Sequence, residues 1–285
     1  MRRTVLSLAA ALLAVSASAA APECPAGAGF EFDGAMSDEF SGTALDSSKW
    51  LDWCWTFKGR RGVFVFAADN VAVTNGELVL TSRLARPDDE TAEVRQQGGA
   101  KYATALVKAK AKSFYGYYEC RSKVADAAVS SAFWIYDPLA DNLQAKFRPG
   151  EKTEEIDIYE IFGRDGDNGE KVRNLYYNTV HQLNTPYLEA VVNGDAVKLP
   201  ERYRATRVDF DFRDDYHVHG FLWTEQELVW YLDGKETFRR ANDVFHRPMY
   251  VTFDCEVMKA WAGLPADADL PAAHRVDYFR HWRKR

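Results

Sequence analysis

The sequence predicts an all-β domain, a sandwich or jelly roll of antiparallel strands. Three observations carry this. Convincing long helical patterns are absent after residue 30, short runs of alternating apolar and polar residues recur, and Asn-Gly and Asp-Gly turn signals separate them. The 285 residues are 47% hydrophobic and 14% aromatic, enough apolar surface for a large core and unlike a disordered chain. A formal net charge of -6 argues against a nucleic-acid binder, which carries a basic excess. The eight Trp, 14 Tyr and 17 Phe either pack that core or line a cleft that stacks on flat ligand faces such as sugar rings.

The elements follow in order. Arg2 and Arg3, the apolar run Leu6 to Val15 and the small residues Ala17 to Ala21 read as a secretory signal peptide over residues 1–21, with cleavage after Ala19 or Ala21. The run is too short to span a membrane, so a secreted or periplasmic protein is expected, with no membrane span. Residues 22–285 contain no repeat or linker and read as one domain, expected to be a monomer. Val71 and Val73, the Asn75-Gly76 turn, then Leu78 and Leu80 make a hairpin. Leu106 to Val124 holds two strands split at Tyr115-Gly116. Val208, Phe210 and Phe212 alternate with Asp209, Asp211 and Arg213 and predict a half-solvated strand. Leu228 to Leu232, Asp233-Gly234 and Glu236 to Arg239 make another hairpin, and Val276 to Trp282 a last short strand. Asp137 to Lys152 and Arg164 to Lys171 read as long loops. Trp223 and Trp230 are assigned to sandwich packing. Cys24, Cys54, Cys120 and Cys255 contain no CxxC pair, which argues against a zinc cluster, and leave three disulfide pairings open. Cys120 fits a buried free thiol equally well.

The segment Glu154 to Gly163 concentrates the chemistry. In an extended strand Glu155 and Asp157 share one face, with Ile156 and Ile158 on the other. Plain alternation puts Glu160 on the Ile156 face. A β-bulge at Ile158 or Tyr159 returns it to the acidic face. Three like charges on one face repel, so the pattern suits catalysis better than structure. A solvated acidic face or a calcium site is the bland alternative. A retaining glycosidase needs two carboxyls about 5–5.5 Å apart.

Glu155-Ile156-Asp157-Ile158-Tyr159-Glu160 resembles the bulged E-x-D-x-x-E signature of glycoside hydrolase family 16. Asp38 to Asp46 with Lys49-Trp50, Tyr115 to Lys123, Ala132-Phe133-Trp134, Tyr216 to Thr224 and Trp230 to Gly234 resemble the family's other strands, in motif order. The resemblance implies a jelly-roll β-sandwich of the concanavalin A-like lectin and glucanase kind, with a substrate cleft on its concave sheet. It implies a retaining endo-hydrolase with Glu155 as nucleophile, Asp157 as assisting acid and Glu160 as general acid/base. Phe57 to Arg60, Asp69-Asn70-Val71, Gly76-Glu77-Leu78 and Ser130 to Trp134 look like the β-agarase branch, whose substrates are algal galactans. Phe57 departs from that branch, which carries Trp there; Trp53 or Trp55 is a replacement platform.

Trp134 and His181 are expected in the cleft, and Arg60 and Trp55 at its sugar-binding surface. Asp277 matches a family acid that helps to hold structural calcium; no cofactor is expected for catalysis. His217 and His219 share a strand face but lack a third metal ligand. A β-1,3-glucanase of the same family, a non-catalytic lectin and a transglycosylase are the competing functions. The three carboxylates argue against the lectin, which needs no acid/base.

Overall fold

The computed structural model describes residues 21–52, 60–138, 150–184 and 197–285. The signal-like start, Cys54, Trp53, Trp55, Phe57 and most of the Asp137 to Lys152 loop lie outside them. The strands, in chain order, are β1 (Phe30–Phe32), β2 (Trp50–Leu51), β3 (Arg60–Arg61), β4 (Phe64–Phe66), β5 (Val71–Thr74), β6 (Glu77–Leu84), β7 (Tyr102–Thr104), β8 (Leu106–Ser113) and β9 (Gly116–Lys123). They continue as β10 (Ser130–Asp137), β11 (Thr153–Phe162), β12 (Leu175–Leu183), β13 (Tyr203–Arg207), β14 (His217–Trp223), β15 (Glu227–Leu232), β16 (Lys235–Ala241), β17 (Met249–Glu256) and β18 (Ala272–Lys284). Among the described residues the α-helices are single turns, Ala92–Gln96 and Lys259–Ala262. None is long and apolar enough to cross a membrane.

Two sheets result, as expected of a sandwich. One has seven strands in the order β13-β12-β11-β10-β17-β8-β2. The other has eleven, along the path β16-β15-β14-β9-β18-β6-β7-β4-β3, with β1 on β18 and β5 on β6. Every pairing is antiparallel except β4 with β7. The turn signals act as read. Asn75 (φ 56°) and Gly76 (φ 80°) close the β5–β6 hairpin on the Thr74–Glu77 pair, and Asp233 (φ 49°) and Gly234 (φ 74°) close β15–β16. Left-handed φ at both turn residues gives the tight turn whose twist matches the strands.

The core lies between the sheets. Phe133 and Phe253 of the seven-stranded sheet stack at 4.6 Å, and Phe279 of the other meets both rings edge-on. Trp223 and Trp230 are fully buried there, as assigned. The last strand is longer than expected, 13 residues, and a register shift between Val276 and Tyr278 lets it follow β9. The expected strand over Val208 to Phe212 does not form. The Asp211 carboxylate accepts the backbone N–H of Arg213 (3.0 Å), and the Asp211 carbonyl accepts that of Asp214 (3.0 Å). Such a local turn competes with strand pairing, and the apolar alternation cannot reveal it. Among the described cysteines, Cys24, Cys120 and Cys255 are free thiols.

Candidate active site

β11 builds the site. Ile156, Ile158 and Ile161 sit in the core, so Glu155 and Asp157 face away from it. Against β12, Asp157 pairs with Thr179 and Glu160 with Tyr177; against β10, Asp157 pairs with Trp134 and Tyr159 with Phe133. Both ladders therefore carry one extra residue on β11, which is the bulge the sequence demanded. It turns Ile158 and Tyr159 to the core and brings Glu160 to the face of Glu155 and Asp157.

A bulge leaves backbone carbonyls without ladder partners, and buried carbonyls need donors. Two side chains supply them. Trp230 Nε1 donates to the Asp157 carbonyl (3.1 Å), and Asn178 Nδ2 donates to that of Ile158 (2.8 Å). Trp230 is thus more than filler. The strand ends at Gly163, where a Cβ would lie 2.0 Å from the Ala125 carbonyl oxygen; only glycine permits that approach.

The register lays out the face in rows. Tyr250, Tyr136, Glu155 and His181 form one row; Thr252, Trp134, Asp157 and Thr179 the next; Asp254, Ala132, Glu160 and Tyr177 the third. Ser130 and Glu256 follow. Small Ala132 separates two carboxylates, Glu160 and Asp254. Asp254 and Glu256 were not singled out in the sequence. Their signal was present: Asp254-Cys255-Glu256 has the same alternate-acid spacing as Glu155-Ile156-Asp157.

Trp134 lies on this face. Its Nε1 donates to Asp254 Oδ2 (2.9 Å) and its ring is 4.7 Å from Tyr136. It is 5% exposed, packed with Leu106, Ala132, Leu183 and Tyr250. His181 also reaches the acids: Nε2 is 3.2 Å from Asp157 Oδ2 and 3.7 Å from Glu155 Oε1. Its Nδ1 is 2.8 Å from Arg202 Nη2. A guanidinium only donates, so Nδ1 accepts and the ring proton sits on Nε2, aimed at the acids. Burial lowers the His181 pKa, Glu155 opposes the fall and Arg202 adds to it, so the net shift favours the neutral imidazole. Arg202 was also missed; it lies on the β13 side, far from the motif in sequence.

Electrostatics differ sharply from those of an exposed acidic face. Glu160 is pushed well above the carboxylate range, first by burial and then by Asp157, Glu155, Asp254 and Glu256. Asp157 moves the same way, again through burial, with Arg202 opposing. Burial thus favours the protonated forms of Asp157 and Glu160, which titrate as a coupled pair.

Glu155, Asp157 and His181 offer ligand atoms within 4.8 Å of one another. Arg202 behind His181 already brings the positive charge that a cation would supply. His217 and His219 make no metal pair. His217 binds Asp233 (2.7 Å), and His219 is buried 4.1 Å from the Tyr159 ring. Asp277 accepts from Arg121 Nη1 (2.8 Å), and that guanidinium covers the Tyr216 ring. Arg60 opens β3 opposite Val65, at the far edge of the eleven-stranded sheet; its side chain and Trp55 lie outside the described residues.

With this geometry in place, comparison decides the family. The family model for the glycoside hydrolase family 16 domain of β-porphyranases A–D matches residues 30–284. The chain belongs to glycoside hydrolase family 16. The matched group lies in the algal galactanase branch to which the motifs pointed. Members of this family hydrolyse O-glycosyl bonds, so this family 16 chain is a glycosidase. It is 28% identical over 263 residues to β-porphyranase B of Zobellia galactanivorans, covering 87% of this chain and 83% of that protein. It is 28% identical over 274 residues to the κ-carrageenase of Pseudoalteromonas carrageenovora, covering 87% of this chain but 63% of the longer relative. In fold it matches the crystal structure of porphyranase B from Zobellia galactanivorans with a TM-score of 0.69, at 22% identity, over 89% of this chain and 92% of that one. A κ-carrageenase from the same organism matches with 0.69 at 24% identity, over 90% and 96%.

Proposed function

We propose that this family 16 enzyme is an exported, retaining endo-hydrolase of an algal galactan of the agarose or porphyran type. The observation that carries the chemistry is the bulge, which sets Glu155, Asp157 and Glu160 on one face, Asp157 and Glu160 buried and Glu155 partly exposed. Glu160 retains its proton and donates it to the leaving oxygen, while Glu155 attacks the anomeric carbon from the opposite side. The glycosyl–enzyme ester removes the Glu155 charge. Glu160 then ionises more easily and takes a proton from the incoming water. His181 Nε2–H and Asp157 orient the nucleophile, and Trp134, held by Asp254, borders the sugar next to the cleaved bond. The substrate class rests on the relatives that are β-porphyranases and κ-carrageenase, and export on the signal-like first 21 residues.

The deciding experiment is a panel of agarose, porphyran, carrageenan, laminarin and mixed-linkage glucan, scored by new reducing ends. Cleavage of agarose or porphyran is expected. Laminarin alone would overturn the galactan reading in favour of a glucanase. NMR of the first product should show the β-anomer; an α-anomer contradicts retention.

A further inference from the structure

The core side of β11 ends on a buried polar relay that the chemistry above does not use. Tyr159 immediately precedes Glu160 and, with Ile158, fills the bulge. Its hydroxyl lies 2.7 Å from Ser122 Oγ and 2.8 Å from His274 Nε2. His274 Nδ1 lies 3.1 Å from the backbone carbonyl oxygen of Asp254. Ser122, Tyr159 and His274 are all buried.

The directions follow from the donor inventory. A carbonyl only accepts, so Nδ1 carries the imidazole proton. Burial pushes the His274 pKa down to about 4, so the ring is neutral at neutral pH and Nε2 is a bare acceptor. The Tyr159 hydroxyl therefore donates to Nε2 and accepts from Ser122. Such a chain is satisfied at every atom in one arrangement only.

Its placement matters more than its energy. Ser122 and His274 stand on β9 and β18 of the eleven-stranded sheet. Tyr159 and Asp254 stand on β11 and β17, the two strands that flank β10 in the other sheet. One imidazole thus grips both neighbours of the strand that carries Ala132 and Trp134. Asp254 is also the residue whose carboxylate holds the Trp134 indole. Trp230 and Asn178 hold the carbonyls of the bulge, whereas this relay holds the side chain that precedes Glu160.

We propose that the Ser122–Tyr159–His274 relay is a positioning device that keeps Glu160 on the carboxylate face. Side chains alternate along a strand, so pairing β11 without its extra residue exchanges Tyr159 and Glu160 between faces. Anchoring the Tyr159 hydroxyl in the core closes that alternative. The proposal rests on Glu160 acting as the general acid/base.

The test compares leaving groups. Tyr159→Phe keeps the ring and removes one hydroxyl. With whichever panel polysaccharide the wild type cleaves fastest, kcat should fall about 10- to 100-fold at nearly constant KM, the scale of a misplaced catalytic group. With a dinitrophenyl β-glycoside of the matching oligosaccharide, whose departure needs no proton, the glycosylation rate should fall less than about three-fold. His274→Asn, which keeps a donor for Asp254 but loses the Tyr159 bond, should show the same split, and the double variant should be no worse than the worse single one. A folded Tyr159→Phe or His274→Asn enzyme that keeps its kcat, or loses both substrates equally, overturns the relay. Glu160→Ala runs in parallel. If it retains full polysaccharide activity, the acid/base reading itself fails, and the relay's purpose with it. Should Tyr159→Phe not fold, His274→Asn and Ser122→Ala carry the same comparison.

Discussion

Two clusters of acids in this molecule use the same side chains to opposite ends. On the outer face of the seven-stranded sheet, Glu155, Asp157, Glu160, Asp254 and Glu256 crowd together, with Arg202 reaching them through His181. At the end of β9 and beyond β13, Asp126 and Asp211 sit between arginines. Arg164 binds Asp126 in a fork (2.7 and 3.0 Å), Arg213 reaches Asp126 (2.8 Å), and Arg213 also forks onto Asp211 (2.9 and 2.7 Å). There the arginine hydrogen bonds hold both acids below their ordinary range, Asp211 at about 2. On the seven-stranded sheet, burial and mutual repulsion raise Glu160 and Asp157. One cluster supports the fold through charge. The other holds carboxyls out of water beside one another at a cost to the fold, as the proposed acid chemistry requires.

The largest expected effect breaks the acid cluster of the seven-stranded sheet at Glu155, the proposed nucleophile. Glu155→Gln should lower turnover by several orders of magnitude while circular dichroism and melting stay near wild type. Glu160→Ala should lose about 10²- to 10⁴-fold on polysaccharide, the usual worth of general acid–base catalysis. On an activated aryl glycoside its first step should remain measurable, and azide should restore turnover with a β-glycosyl azide as product. No rescue in a folded protein, or equal rescue of Glu155→Ala to the same product, would reverse the assigned roles.

Arg202→Ala sharpens the comparison by removing the cation that lowers the pKa of both His181 and Asp157. Both should titrate higher, so the acid limb of the pH–rate profile should move up, with kcat/KM down about 10-fold at neutral pH, roughly one hydrogen bond to a charged group. A profile that keeps its position would disconnect Arg202 from the acids.

Stability supplies the smallest effects, and opposite signs. Glu160 has a folded pKa above its unfolded value. As pH rises past about 4.3 the unfolded chain ionises while the folded one does not, and stability is lost. Glu160→Gln removes that loss, so it should be more stable than wild type by about 1–2 kcal/mol at neutral pH, with the gap growing as pH rises. Asp211 has a depressed folded pKa, so its contribution is present above about pH 4 and lost as pH falls toward 2. Asp211→Asn should cost about 1 kcal/mol at neutral pH, a gap that closes in acid. Urea melts at several pH values measure both; equal signs would erase the contrast.

The two clusters were unequally legible in the sequence. Period-two alternation and turn chemistry disclosed the sandwich, both type of hairpin turn and the need for a bulge, because these are local. The bulge needed no structure to infer: Glu160 falls on the wrong face without it. Arg202 and His274 join the site from segments far apart in sequence, and no local pattern carries that; Asp254 and Glu256 have a local alternate-acid spacing, but only strand register sets them beside Glu160. The run Val208 to Phe212 failed for the reverse reason. Its alternation is that of a strand, yet one Asp211 carboxylate bonding to its own neighbours bends the chain away.

The central claim is that the bulge places Glu160 among buried acids, where it keeps a proton. The most direct measurement is a pH titration of side-chain carboxyl carbons by NMR in glutamate-labelled protein, with the Glu160 signal assigned by its loss in Glu160→Gln. The Glu160 carboxyl should still be protonated at neutral pH, and its midpoint should drop when Glu155→Gln removes a neighbouring charge. A midpoint near 4.3, the value of an unperturbed glutamate, and indifferent to Glu155, would contradict the account.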